Sequence, residues 1–205
     1  MTHSLWLRLT LFSLVAAAGC ALDLATKQWI FSELGEPGRQ GVWWLIPDLF
    51  GFQTSLNQGA LFGMGQGQIA FFVATSVLAL LGIVVWIVLD RRRSLFLALL
   101  LALITAGILG NLWDRLALHE MTWNVFHVLS GQCPPEMAGQ PIHAVRDWIL
   151  VMLGTYPWPN FNLADSMLVV GAIVMAIYAF CLDDENAGKQ ASQAPQPAAS
   201  EESND

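Results

Sequence analysis

The sequence predicts an all-α membrane protein built on four transmembrane helices. Three observations predict it. Of the 205 residues, 55% are hydrophobic and only 12% charged, too apolar for an ordinary soluble domain of this size. The apolar residues run in long unbroken blocks instead of the 3.6- or 2-residue alternation of half-buried elements. The few polar residues inside those blocks gather toward one end of the bundle.

The first block runs from Leu5 to about Phe31 and is interrupted by Arg8, Asp23 and Lys27. The second, Gln68 to Leu89, has no charged residue until Asp90. The third, Ser94 to Leu118, is equally apolar until its last two turns. The fourth, Asn162 to Leu182, is polar only at its start. About 20 apolar residues cross a bilayer as a helix, so each block is long enough.

Within the first block, small residues ending in Gly19-Cys20 resemble the lipid-attachment site of a bacterial lipoprotein, which would make the preceding residues a cleaved signal. The sequence argues otherwise. The n-region offers only His3 and Arg8, the residue three before Cys20 is Ala17 where a branched one is usual, and the apolar pattern continues through Trp29 and Ile30. Asp23 and Lys27, four apart, share a helix face and can pair.

Asp90-Arg91-Arg92-Arg93 joins the second and third blocks and no other connection has such a basic cluster, so this loop is expected in the cytoplasm together with both termini. The two longer connections, 32–67 and 119–161, then lie outside. The net charge of −7 comes largely from the residues after Leu182, whose Ala, Gln, Ser, Pro and acids cannot build a core. Residues 1–184 thus form the membrane domain, and 185–205 a disordered acidic cytoplasmic tail. Nothing suggests nucleic-acid binding. Cys20, Cys133 and Cys181 form no C-x-x-C pair, and His119, His127, Cys133 and His143 match no metal spacing, so their connection reads as a solvated loop. No metal or organic cofactor is expected.

Polar groups inside membrane helices are costly, and each is a candidate functional residue. Asp23 and Lys27 lie near the outer end of the first span, Asn111, Asp114 and Arg115 near that of the third, and Asn162, Asp165 and Ser166 at the outer start of the fourth. Asp147 precedes the fourth span in AVRDWILV. Four carboxylates therefore converge on one membrane face, with Lys27 and Arg115 as nearby cations, and Arg115 is expected to hold Asp114 in an ion pair. Gly107 and Gly110 would let another helix approach closely.

Two carboxyl groups held close together share a proton. The ionised one can take a proton from water while the other donates to a carbonyl oxygen, the chemistry of aspartic proteases. No G-x-S-x-G or H-E-x-x-H element points to a serine or zinc peptidase. The other readings are a small ion transporter, whose acids would spread through the depth of the bilayer instead of one layer, and a catalytically silent lipid- or peptide-binding protein.

Five motifs in order complete the pattern: Asp23-Leu24-Ala25-Thr26-Lys27, Asn57-Gln58-Gly59-Ala60-Leu61-Phe62-Gly63, Gly110-Asn111-Leu112-Trp113-Asp114-Arg115, Val145-Arg146-Asp147-Trp148-Ile149, and Phe161-Asn162-Leu163-Ala164-Asp165-Ser166. With four spans, the chain resembles the bacterial lipoprotein signal peptidases (signal peptidase II), which remove the signal peptide just before a diacylglyceryl-modified Cys. The resemblance implies an aspartic endopeptidase of the cytoplasmic (inner) membrane with its site near the outer face. It implies Asp147 and Asp165 as the catalytic pair, and Asp23, Lys27, Asn57, Gly59, Asn111, Asp114, Arg115, Asn162 and Ala164 as the surrounding shell. It also implies a small extended, β-like platform over the site from the first outer connection, with Val42-Trp43-Trp44-Leu45 at the membrane interface. The partners implied are a lipid-modified prolipoprotein, membrane lipids and globomycin-type inhibitors. Two departures stand out. Residues 119–146 form an extracytoplasmic insertion where the family has a shorter connection, leaving Asp114 as the alternative partner for Asp165, and Arg146 stands where an apolar residue is common.

Overall fold

The computed structural model describes residues 4–39, 41–59, 65–89 and 94–193, with side chains through Phe180. Arg91 to Arg93, on which the expected orientation rests, and Ala60 to Gly63 lie outside the described residues, as does the chain after Gln193.

Four helices are long and apolar enough to cross a membrane. The first, α1 (Leu5–Leu34), starts where the Ser4 hydroxyl accepts from the Leu7 N–H at 3.3 Å, a side-chain cap for an otherwise orphan donor. It stops at Gly35, whose φ of 70° suits glycine and whose N–H bonds the Phe31 carbonyl. α2 (Ile69–Leu89) buries only Ile83 and Ile87, as expected of a helix whose remaining surface faces lipid. Near its end the buried Arg8 of α1 donates to the Ile87 carbonyl at 2.9 Å.

α3 (Leu95–Arg115), capped by Ser94, is the central helix, with thirteen buried residues. The last, α5, spans Leu163–Gln193. It runs past residue 185, where the tail was expected to begin. Residues 185–193 include Glu, Ala, Lys and Gln, which sustain a helix, and Pro195 is the first residue that cannot continue one.

Small residues bring α1, α3 and α5 together. A side chain at Gly107 would come within 2.5 Å of the Ala164 carbonyl, and one at Gly110 would strike the Asp23 carboxylate. Toward the other end of the bundle, Ile83, Ile87, Leu97, Ala98, Leu101 and Ile108 form an apolar core.

Outside the bundle sits a four-stranded antiparallel sheet in the order β1 (Trp43–Ile46), β2 (Phe50–Asn57), β3 (Val145–Leu153), β4 (Tyr156–Pro157). The platform therefore draws two strands from each outer connection, whereas the sequence reading drew it from the first alone. Asp147, expected merely to precede the fourth span, lies on β3 opposite Ser55 of β2. The sheet rests on the end of α1, where Ile30, Phe31 and Leu34 pack with Trp148, Phe52 and Leu56. Trp43, Leu45 and Ile46 of β1 stay exposed, and edge-to-face contacts run from Trp29 through Trp43 and Phe52 to Trp148 at centroid separations of 5.1 to 6.1 Å.

The segment before β3 corrects an expectation: it is a packed cap and not a solvated loop. It holds the short helix α4 (Val125–Leu129) and buries Trp123, Cys133, Ile142 and Ala144 around Met121, Val128 and Met137. These residues are too scattered to show a period, and a bridge between Thr122 and Pro141 gathers them. The cap is tied to the end of α1, where both Glu36 carboxylate oxygens accept from Asn124 Nδ2 at 2.8 Å. Burial lowers the pKa of His119 and His127, favouring neutral rings. Among the described residues no three of His, Cys, Asp and Glu are placed to hold a metal.

Candidate active site

All eleven site residues inferred from the sequence come together where α1, α3 and α5 meet the sheet. α5 is opened by a reciprocal cap. Asn162 Oδ1 accepts from the Asp165 N–H at 2.9 Å, and Asp165 Oδ2 accepts from the Asn162 N–H at 3.2 Å. Such a cap satisfies two orphan donors and fixes both side chains. The Asn162 Nδ2 then donates to Asp147 Oδ1 at 2.6 Å and to Asn111 Oδ1 at 3.1 Å, and Asn111 Nδ2 donates to Asp165 Oδ1 at 2.8 Å. From β2, Asn57 Nδ2 reaches Asp147 Oδ2 at 3.2 Å. Asp147 and Asp165 are thus held by one shared asparagine, each with a second amide on its other oxygen or beside it.

Among the described residues no cation is hydrogen-bonded to either of these two carboxylates. Asp147 is buried, and burial together with the Asp165 charge raises its carboxyl to about 8, against the bonds from Asn162 and Asn57, which favour the ionised form.

The other two acids are neutralised. Asp23 pairs with Lys27 at 2.8 Å and accepts the Ala164 N–H at 2.9 Å, which ties α1 to the first turn of α5 and explains a site position as small as alanine. Asp114 pairs with Lys27 at 3.2 Å and with Arg146 at 2.9 Å. Arg146 surrounds it, with Nε and Nη2 donating to Oδ1 and the backbone N–H to Oδ2.

This corrects the expected Asp114–Arg115 pair. Adjacent residues on a helix point about 100° apart and do not face each other. Arg115 instead donates to the Gly59 carbonyl at 3.1 Å and lies over the Phe72 ring at 5.0 Å. Gly59, in turn, closes a turn on Asn57 Oδ1 at 2.9 Å. Arg146 was visible only as a departure from the family pattern. The signal that could have found it is arithmetic: four clustered acids outnumber the two cations, Lys27 and Arg115, that the sequence reading placed beside them, so a further cation was to be sought.

A cleft of about 850 Å³ opens over the pair, lined by Asn57, Gly59, Asn111, Arg115, Asp147 and Asp165. One side is apolar, with Ile108 of α3 and Leu168 and Val169 of α5. The other is formed by β2 and by Tyr156 to Phe161. It can hold an extended chain against two carboxyl groups with an apolar segment toward the bilayer.

Residues 15–181 match the family described as signal peptidase (SPase) II. The chain belongs to the signal peptidase II family. Relatives named lipoprotein signal peptidase include one from Rhodopirellula baltica, 43% identical over 175 residues that make up 84% of this chain and 73% of the relative. Another, from Clostridium novyi, is 30% identical over 166 residues, 80% of this chain and 94% of the relative. Two solved structures described as bacterial membrane enzymes align with TM-scores of 0.62 and 0.60. At 25% and 27% identity they cover 92% and 82% of this chain and 93% and 91% of their own. Signal peptidase II membership accounts for a multi-pass peptidase whose polar groups gather at one end of its helices.

Proposed function

We propose that the chain is an aspartic endopeptidase that cuts prolipoproteins just before a diacylglyceryl-modified Cys, with Asp147 and Asp165 as its catalytic groups. The chain's family and its relatives make it a lipoprotein signal peptidase. What favours the aspartic route is one observation: two carboxyl groups bridged by Asn162, facing a cleft and, among the described residues, hydrogen-bonded by amides alone.

The shared proton rests mainly on Asp147, whose carboxyl is raised by burial and by its neighbour. Asp165, in the first turn of α5, accepts N–H bonds from Asn162 and Asn111 on its two oxygens and is assigned the part of the base. Asp165 takes a proton from water as the oxygen attacks the scissile carbonyl, and Asp147 donates to the carbonyl oxygen. When the tetrahedral intermediate collapses, Asp165 passes its proton to the leaving amine and Asp147 recovers its own. Asp23, Lys27, Asn57, Gly59, Asn111, Asp114, Arg115, Asn162 and Ala164 hold this geometry.

The membrane is the cytoplasmic one, with both termini inside and the cleft at its outer face. The apolar side of the cleft suits the lipid chains and the apolar signal, and a globomycin-type lipopeptide would compete for it. An ion path would need acids spread through the depth of the bilayer, whereas Asp23, Asp114, Asp147 and Asp165 are joined in one cluster through Lys27, Asn111 and Asn162.

The test is purified protein incubated with a diacylglyceryl-modified precursor peptide, with the product mass measured. Cleavage on the amino side of the modified Cys, blocked by globomycin, is expected. An intact precursor, or a cut elsewhere, would refute the reading.

A further inference from the structure

Among the described residues the sheet leaves one rung open beside the two carboxylates. β1 pairs with β2 only at Phe50, Gly51 and Phe52, so from Gln53 to Leu56 that side of β2 has no strand partner among the described residues. On its other side β2 continues against β3, with Ser55, Leu56 and Asn57 opposite Asp147, Arg146 and Val145. Opposed residues in an antiparallel ladder exchange both main-chain bonds or neither. The Arg146 N–H goes to Asp114 Oδ2 at 3.0 Å. Leu56 and Arg146 are therefore the non-bonded kind of pair, and the Leu56 N–H and C=O point away from β3.

The cleft lies where they point. β3 contributes Val145 and Asp147 to its wall, alternate residues that present one face. β2 contributes Gln53, Thr54, Ser55, Leu56 and Asn57, five in succession. A strand that lines a cavity with consecutive residues presents its edge, because alternate side chains leave on opposite faces. The Leu56 side chain packs outside the cleft, between the Trp148 and Trp123 clusters, so its backbone is what the cleft meets. Farther along, the Gln53 carbonyl is taken by Asn160 Nδ2 at 2.8 Å.

We propose that this edge binds the substrate by strand addition: the extended peptide flanking the scissile bond pairs with β2, and Leu56 exchanges two main-chain hydrogen bonds with one substrate residue. An unpaired edge is a template for such pairing. It rests on the peptidase reading and deepens it. The open rung sits one residue from Asn57, whose side chain holds Asp147, so pairing there sets which peptide bond lies against the carboxylates. Main-chain pairing is indifferent to side-chain identity. It fixes register, and the apolar side of the cleft selects the lipidated residue.

The experiment uses the unaltered enzyme and a set of diacylglyceryl-modified precursor peptides in which single amides on either side of the scissile bond are replaced by esters, removing one N–H at a time. One replacement, at the residue facing Leu56, should lower kcat/KM about tenfold, and those at its two neighbours less than about threefold, the contrast expected for losing one hydrogen bond. Equal turnover of every ester analogue, or equal losses at adjacent positions, would overturn strand addition. Failure to cleave the all-amide parent would overturn the peptidase reading and the pairing with it.

Discussion

Two pairs of carboxylates share this site, and their surroundings could hardly differ more. Asp23 and Asp114 are fully enclosed and matched by Lys27 and Arg146. Asp147 and Asp165 receive only amide donors, from Asn57, Asn111 and Asn162. A cation beside a buried acid offsets the cost of burying its charge and locks the two groups together. An amide positions the acid and leaves the proton exchangeable. On the proposed reading the same residue type is a fastener in one pair and a reagent in the other, and the four are joined because Lys27 also donates to Asn111.

The comparison breaks most visibly at the reagent pair. Asp147→Asn or Asp165→Asn keeps the volume and removes the titrating group, so cleavage of a lipidated precursor should fall by about three orders of magnitude or more with membrane abundance unchanged. The double variant should be little worse than either single one, because the pair acts as a unit. Near-normal turnover in Asp147→Asn, with a folded but dead Asp114→Asn, would move the pair to Asp114 and Asp165.

At the fastener pair the loss should be one of stability. Asp114→Asn leaves Arg146 without its counter-charge, and breaking a buried pair from one side costs about 3–5 kcal/mol. The thermal midpoint in detergent should drop, with activity falling in proportion to folded protein. A variant as stable as the parent would show that the pair is exposed to water.

Acidity sharpens the contrast further. The pair needs one proton, so turnover should decline as pH rises through about 8. Stability carries the same sign: with the Asp147 carboxyl raised above its ordinary 3.8, the folded state binds more protons than the unfolded one between those values. Stability is therefore greatest below that window and falls as pH rises through it. Asp147→Asn should flatten this slope in the thermal midpoint. A profile with no basic limb near 8 would argue against a protonated Asp147.

Smallest of all is the expected effect of EDTA, which should leave turnover unchanged, since among the described residues no three of His, Cys, Asp and Glu are placed to hold a metal. Loss of turnover on chelation, restored by zinc, would bring the His119, His127, Cys133 and His143 segment into the chemistry.

Much of this was legible beforehand because apolar blocks record membrane helices directly. The boundaries at Leu5, Leu89 and Leu163 fell within about a residue, and polar residues inside such blocks are conspicuous by their cost. What pairing across space decides was not legible. Arg115 looked like the partner of Asp114 because it is next in sequence, yet the partner is Arg146, thirty-two residues on. The cap around Trp123 has no period to betray it. Asp147 was recognised by its motif, but its strand was not, since VRDWILVML is an apolar run that reads equally well as the approach to a helix.

The bond from the Ala164 N–H to Asp23 joins nearly the first segment synthesised to the last. While the ribosome is still making the middle of the protein, α1 has already entered the membrane carrying Asp23 and Lys27, and neither α5 nor Asp165 exists. With Asp147 and Asp165 as the proposed catalytic pair, half of it arrives with α5, so a chain cut short before Leu163 is expected to insert its earlier helices and show no cleavage.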